Sequence, residues 1–238
     1  MNAGYGQFCP VSRALDLLGD RWTLLIVRDL LHDVHHFNEF ARGLPRISRG
    51  LLAKRLRQLE GCGIVWRTGS GTRVSYEATA AAMELRPVLD ELARWGARWA
   101  LGPPTAEELD PSLLMWWMRL RVLRDRLPEE RQVAQFDFEE VRDRTFWLVM
   151  ARTDVSVCFD PPPFEVDLFV EGSMVALFEV WAGAAAFEQV LSVGRLRVRA
   201  MPWQERAFPT WFARSPGAPP FEGAATDIEA PAAPGAGI

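Results

Sequence analysis

A chain of 238 residues, 49% hydrophobic and 11% aromatic, can bury a sizeable core and exceeds the usual size of one domain. No apolar run approaches the roughly 18 residues of a membrane span, and no basic-then-apolar leader opens the chain, so a cytoplasmic protein without membrane contact is expected. The net charge of −4 divides unevenly: residues 1–100 carry 14 basic against 10 acidic side chains and residues 101–238 carry 13 against 21, which points to a polyanionic partner for the first half alone.

The first half reads as short helices with tight joins. Segments 11–18 and 22–31 have helical apolar spacing, with Asp20 placed to cap the second, and the loop 32–36 leads to a helix over 37–44 closed by Pro45. Ser48 caps a fourth helix running to Glu60, in which Leu52, Leu56 and Leu59 form one buried stripe and Gly61 and Gly63 end the run. Strand-like segments 64–68 and 73–76 flank Gly69-Ser70-Gly71, a hairpin signal. A long helix over 79–101 follows, bent near Pro87.

Helix, join, helix and basic hairpin is the order of a winged helix-turn-helix. Its second helix needs an apolar inner face and a basic or polar outer one to enter a major groove. At about 100° per residue, Lys54, Arg57 and Gln58 fall opposite the leucines, and Gly50 shares their side. Arg46, Ser48 and Arg49 stand at the helix entrance, where they can meet phosphate, and Arg55 lies at the edge of the apolar face within reach of the backbone. Arg67 and Arg73 flank the hairpin tip. An ordinary solvated amphipathic helix would show a similar outer face, and it is the hairpin and the charge split that favour DNA.

Specific motifs add to this pattern. The run Cys9 to Leu31 (CPVSRALDLLGDRWTLLIVRDLL), Phe37-Asn-Glu-Phe, Leu44-Pro-Arg-Ile-Ser and Leu52-Ala-Lys-Arg-Leu-Arg-Gln-Leu-Glu resemble HxlR-type regulators in order and spacing over residues 5–100. The resemblance implies a dimeric DNA-binding protein, of a kind often responsive to small reactive molecules. The hairpin is shorter than is usual there, and residues 80–82, all alanine, replace a more polar start to the last helix. Leu85, Val88, Leu92, Trp95 and Trp99 step by three and four residues, the spacing of a dimer seam; packing within the same domain is the alternative.

The second half, 105–215, follows Gly102-Pro103-Pro104. A helix over 112–127 is expected, then strands near 134–138, 145–151, 155–159 and 164–170 forming an antiparallel sheet with one buried face, helices over 175–181 and 184–193, and a last strand over 196–200. Residues 216–238, rich in Pro, Ala and Gly, read as a disordered tail. Taken together, the fold class is α+β. No catalytic set, phosphate loop or metal-ligand spacing is present in the second half, so neither an enzyme nor a cofactor is expected. Its many aromatic residues, Trp116, Trp117, Phe136, Phe146 and Trp147 among them, form either a plain core or the lining of an apolar cavity. Phe146-Trp-Leu-Val, Val157-Cys, Phe164-Glu-Val-Asp-Leu, Val180-Trp-Ala-Gly and Arg206-Ala-Phe-Pro-Thr-Trp-Phe resemble the sterol-carrier-protein-like fold, which implies a tunnel for hydrophobic small molecules and no catalysis.

The three cysteines are scattered and build no disulfide framework. Cys9 stands where some HxlR-type members carry a reactive thiol, with Arg13 one turn on, and a buried inert cysteine is the plainer alternative. His32, His35 and His36 lack the partners of a metal site. The expected function is a dimeric transcription regulator that binds an inverted-repeat operator in double-stranded DNA under control of a hydrophobic effector. The rivals are a lipid carrier with an accessory basic domain and a thiol-based electrophile sensor acting through Cys9.

Overall fold

The computed structural model describes residues 4–213 apart from 101, 103, 106 and 142, so the expected tail over 216–238 and the last residue of the 79–101 helix lie outside the described residues. The chain opens with α1 (Pro10–Leu18), α2 (Thr23–Leu30), α3 (Phe37–Gly43) and α4 (Arg49–Gly61). Ile26, Val27, Leu30, Phe40, Leu52, Leu56 and Leu59 are all buried, and they draw α2, α3 and α4 around one core. The Asp20 side chain does not cap α2. Trp22 takes that position in a left-handed conformation, and only the Asp20 backbone carbonyl accepts from Thr23.

β1 (Val65–Thr68) and β2 (Ser75–Ala78) form an antiparallel hairpin with Val65 opposite Ala78. Arg73, expected on a strand, sits instead in a tight 3-10 turn, Gly71–Arg73. The turn winds back because Gly69 has φ +77 and a side chain there would collide with the Arg73 carbonyl. The expected long helix is two helices, α5 (Ala80–Met83) and α6 (Arg86–Trp99). Pro87 has no amide hydrogen for the Met83 carbonyl and its ring crowds that oxygen, so the helix breaks there rather than bending.

α7 (Pro111–Leu120) is shorter than the expected 112–127 helix and gives way to a 3-10 turn, Arg124–Arg126. It is shared by both halves. Leu113, Trp116, Trp117 and Leu120 pack on the first core, while Leu114, Met115 and Met118 belong to the second.

The remaining strands, β3 (Gln132–Phe138), β4 (Thr145–Met150), β5 (Val155–Cys158), β6 (Leu168–Gly172) and β7 (Leu196–Arg199), form one sheet in the order β5-β4-β3-β6-β7. The sheet is mixed rather than antiparallel, because β3 pairs parallel with β6, Phe136 beside Val170. After the β3-β4-β5 meander the chain must return across the sheet to reach β3 again. Val166, in that return, packs on Val133, Trp147 and Val149 of the face opposite the main core. The expectation of one buried face fails for this reason. The main core lies on the other face, where Phe136, Phe146 and Leu148 meet α7, α8 (Met174–Ala182), α9 (Phe187–Ser192) and α10 (Pro202–Ala207), a helix missing from the expected elements. Phe208 and Trp211, in the turn after α10, are among the most deeply buried side chains.

Candidate nucleic-acid interface

α4 is anchored from both ends of its apolar stripe. Ser48 caps it by accepting from the Leu51 amide at 3.3 Å, and Leu52, Leu56 and Leu59 are no more than 2% exposed. A helix rotated so that these three point inward must present Gly50, Lys54, Arg57 and Gln58 outward, and all four are exposed. The helix paired with α4 in the motif is α3, which Glu39 steadies by accepting from the His35 and His36 amides.

The other expected contact residues are treated differently by the fold. Arg49 is exposed but held, donating to Asn38 Oδ1 through both terminal nitrogens at 3.1 Å and lying 5.6 Å from the centre of the Phe37 ring. Arg46 is exposed and pairs at 3.2 Å with Glu107. Arg67 on β1 and Arg73 at the hairpin turn are both exposed. Arg55 departs from expectation. Its side chain is 12% exposed and bonds Asp20 and Gln58 Oε1, so it ties α4 to the turn before α2 and has little freedom to reach a phosphate. Gln58 is thereby partly committed as an acceptor.

Sequence reasoning missed the role of the three histidines. The ring of His32 lies 2.8 Å from the Arg28 carbonyl, that of His35 3.0 Å from the Tyr76 carbonyl, and that of His36 3.2 Å from the Val74 carbonyl. The last two staple the loop before α3 to the hairpin, fixing its height relative to α4. Burial, and after it the charges of three arginines, hold the His32 imidazole below its ordinary range. Clustering of three histidines in five residues was the only available signal, and the partners of His35 and His36 lie some forty residues away.

The apolar steps on α6 are open. Val88, Leu92, Trp95 and Trp99 are 48–61% exposed, whereas Leu85, expected as the first of them, packs on the core of its own unit. On α1 and the arm before it, Phe8, Val11 and Leu15 are exposed as well. Cys9 is half-buried at the start of α1, and the Arg13 guanidinium lies 3.9 Å from Asp16.

In the second half the aromatic side chains pack on one another. Ring centres of Phe136, Phe146, Phe187, Trp211 and Phe212 lie 5.2–6.4 Å from a neighbour in this set or from Phe138 or Phe208. A half-open cleft of about 520 Å³ lies elsewhere, between the end of α6, Gly102 and Pro104, and the α8–α9 region. Its walls include Ala97, Ala184, Val190 and Val193, with the Glu179–Arg195 pair at 2.6 Å. No group of three metal-ligating side chains occurs among the described residues, and no helix there is long and apolar enough to cross a membrane.

A capped helix with an exposed cationic face, preceded by a short helix and followed by a basic hairpin, is a winged helix-turn-helix, and the protein is a transcriptional regulator of that class. The pattern of the HxlR-like helix-turn-helix matches residues 17–102. The chain is 34% identical over 112 residues to the uncharacterised regulator YvaP of Bacillus subtilis, covering 45% of this chain and 95% of that protein. It is 36% identical over 117 residues to the uncharacterised regulator Rv3095 of Mycobacterium tuberculosis, covering 44% and 73%. Among solved structures it resembles the reduced form of the regulator YodB from B. subtilis, at 34% identity over 40% of this chain and 96% of that one, with a TM-score of 0.34. The chain belongs to the HxlR-like helix-turn-helix family, whose regulators bind DNA, and these similarities cover its first half.

Proposed function

We propose that this regulator acts in the cytoplasm as a homodimer on an inverted-repeat operator, and that a small hydrophobic ligand sets its affinity. The observation that carries the reading is the exposed row Lys54, Arg57 and Gln58 on a helix whose opposite face is sealed. Each α4 enters a major groove, Lys54 and Arg57 facing base edges, with Arg46, Ser48 and Arg49 at its entrance and Arg67 and Arg73 along the adjoining backbone. Arg55 serves by holding α4 in place.

The dimer is supported by the open faces of α6 and α1, which place two tryptophans in water unless a second copy covers them. The second half acts as the sensing part, without catalysis, and its resemblance to a sterol-carrier-like fold suits an apolar ligand. Because its aromatics fill their own core, the cleft beside Ala97 is the better place for that ligand. It touches α6, so an occupant that prefers one dimer geometry shifts DNA affinity by that preference.

Footprinting on DNA upstream of the gene, with the purified chain before and after solvent extraction of co-purified apolar compounds, tests both halves of the reading. A symmetric, salt-sensitive footprint altered by extraction is expected. A chain that shields no symmetric sequence at moderate salt is not such a regulator, and a footprint indifferent to extraction removes the ligand.

A further inference from the structure

Four basic side chains converge where α2, the start of α6 and the end of α7 meet. His32 Nδ1 donates to the Arg28 carbonyl, and Arg86 donates to the Leu31 carbonyl at 2.6 Å. Arg28 lies 5.8 Å from the centre of the Trp117 ring. Arg121, one helical turn after Trp117, lies 4.6 Å from the Trp181 ring. The charges of Arg28, Arg86 and Arg121 all reach the His32 imidazole.

The carboxylates facing this cluster are fewer. Asp29 holds Arg28 through Oδ1 alone, at 2.9 and 2.7 Å, and Asp90 reaches Arg121 only at Coulombic range. Among the described residues neither Arg86 nor Arg121 has a carboxylate within ion-pair distance. Two donors are sealed from solvent with no acceptor among those residues, Arg121 Nη1 and the indole Nε1 of Trp117; Asp29 Oδ2 is sealed and unpartnered as well, against Gly43 on the side of the Trp116 indole. Buried donors in folded proteins are almost always satisfied, so an orphaned pair beside an excess of cations marks a place for an acceptor.

We propose that this seam binds a small molecule through an oxyanion, a carboxylate or phosphate group, gripped by Arg28, Arg86 and Arg121 with Trp117 Nε1–H as a further donor. Guanidinium forks match the geometry of such groups, and their partly desolvated setting strengthens each bond. Burial and the charge of Arg28 push Arg121 down to about 10, and an arriving anion reverses that penalty. A cation would be repelled here, and an apolar ligand would leave both donors unpaired. The site is separate from the cleft beside Ala97. It joins α7 to α2, whose end leads through the histidine loop into α3 and α4, so an anion here couples the second half to the DNA-reading helices.

The test uses the full chain without DNA, so failure of the operator reading leaves it untouched. Thermal melting and tryptophan fluorescence are followed while inorganic phosphate, or in a second series benzoate, replaces chloride at constant ionic strength. A saturable rise in melting temperature is expected, with phosphate alone indicating a phosphate ester and benzoate alone a carboxylate. Arg121→Gln should abolish it. Trp117→Phe, which keeps the ring and loses the N–H, should weaken binding by about tenfold. The Lys54→Ala, Arg57→Ala double variant should keep it, since its loss there would place the anion on the DNA-reading face and overturn the proposal. A rise that does not saturate, or that survives unchanged in Trp117→Phe, overturns it as well, even if Arg121→Gln fails to fold.

Discussion

Arg57 and Arg73 are both exposed, yet one stands on the outer face of α4 and the other in the 3-10 turn at the hairpin tip, so their removal should fail in different ways. In a dimer each substitution acts twice. On the proposed reading Arg73→Ala removes one phosphate contact per protomer, and with about 0.9 counterion released per contact the slope of log affinity against log salt should become shallower by about 1.8. Raising salt from about 50 to about 200 mM would then narrow the gap between wild type and variant by roughly tenfold, on any sequence. Arg57→Ala should instead cost about 1–3 kcal/mol per half-site on the matched operator and little on scrambled DNA. Fluorescence anisotropy with the two duplexes at four salt concentrations separates these outcomes. A base-selective Arg73 or a uniformly weakening Arg57 would show that α4 does not lie in the groove as argued.

Leu92→Glu with Trp95→Glu should yield monomers by light scattering, since both side chains are about half exposed on α6 and the chain's own core does not need them; an unchanged dimer mass places the interface elsewhere. Glu107→Gln frees Arg46 at the α4 entrance and should raise operator affinity by at most about fivefold per protomer, because the pair is exposed and solvent-screened. The folded chain resists protonating His32, whose imidazole is held down first by burial, whereas the unfolded chain accepts the proton near the ordinary value of 6.5. Stability should therefore fall as pH drops below about 6.5, and fall less in His32→Gln, as followed by melting temperature. Burial raises the Asp29 carboxyl above 3.8, so its contribution has the opposite sign, fully present below 3.8 and lost as pH rises through its folded value. Gly43→Ala would place a methyl group 2.6 Å from Asp29 Oδ2 and 3.0 Å from Trp116 Nε1, and should cost about 1–3 kcal/mol in urea unfolding if those side chains are fixed as described.

Features legible before the structure were those written in neighbouring residues. Ser48 followed by leucines at 52, 56 and 59 specifies a capped helix and its outward residues whatever surrounds it, because the backbone period alone sets which side chains share a face. The α6 steps were legible for the same reason, although Leu85 went to its own core once the break at Pro87 altered the helix start. The capture of Arg55 by Asp20 was not legible, since the partners lie 35 residues apart and either side chain alone looks solvated.

By itself, then, the sequence determined the period of the helices, the Ser48 cap, the charge split and the family. Tertiary structure alone decided that β3 lies parallel to β6, that α7 serves two cores, and that His35 and His36 staple a loop to the hairpin. Local periodicity states which residues must be buried but not against what. That choice follows from the total apolar area a whole chain can remove from water, and no window of a dozen residues contains it.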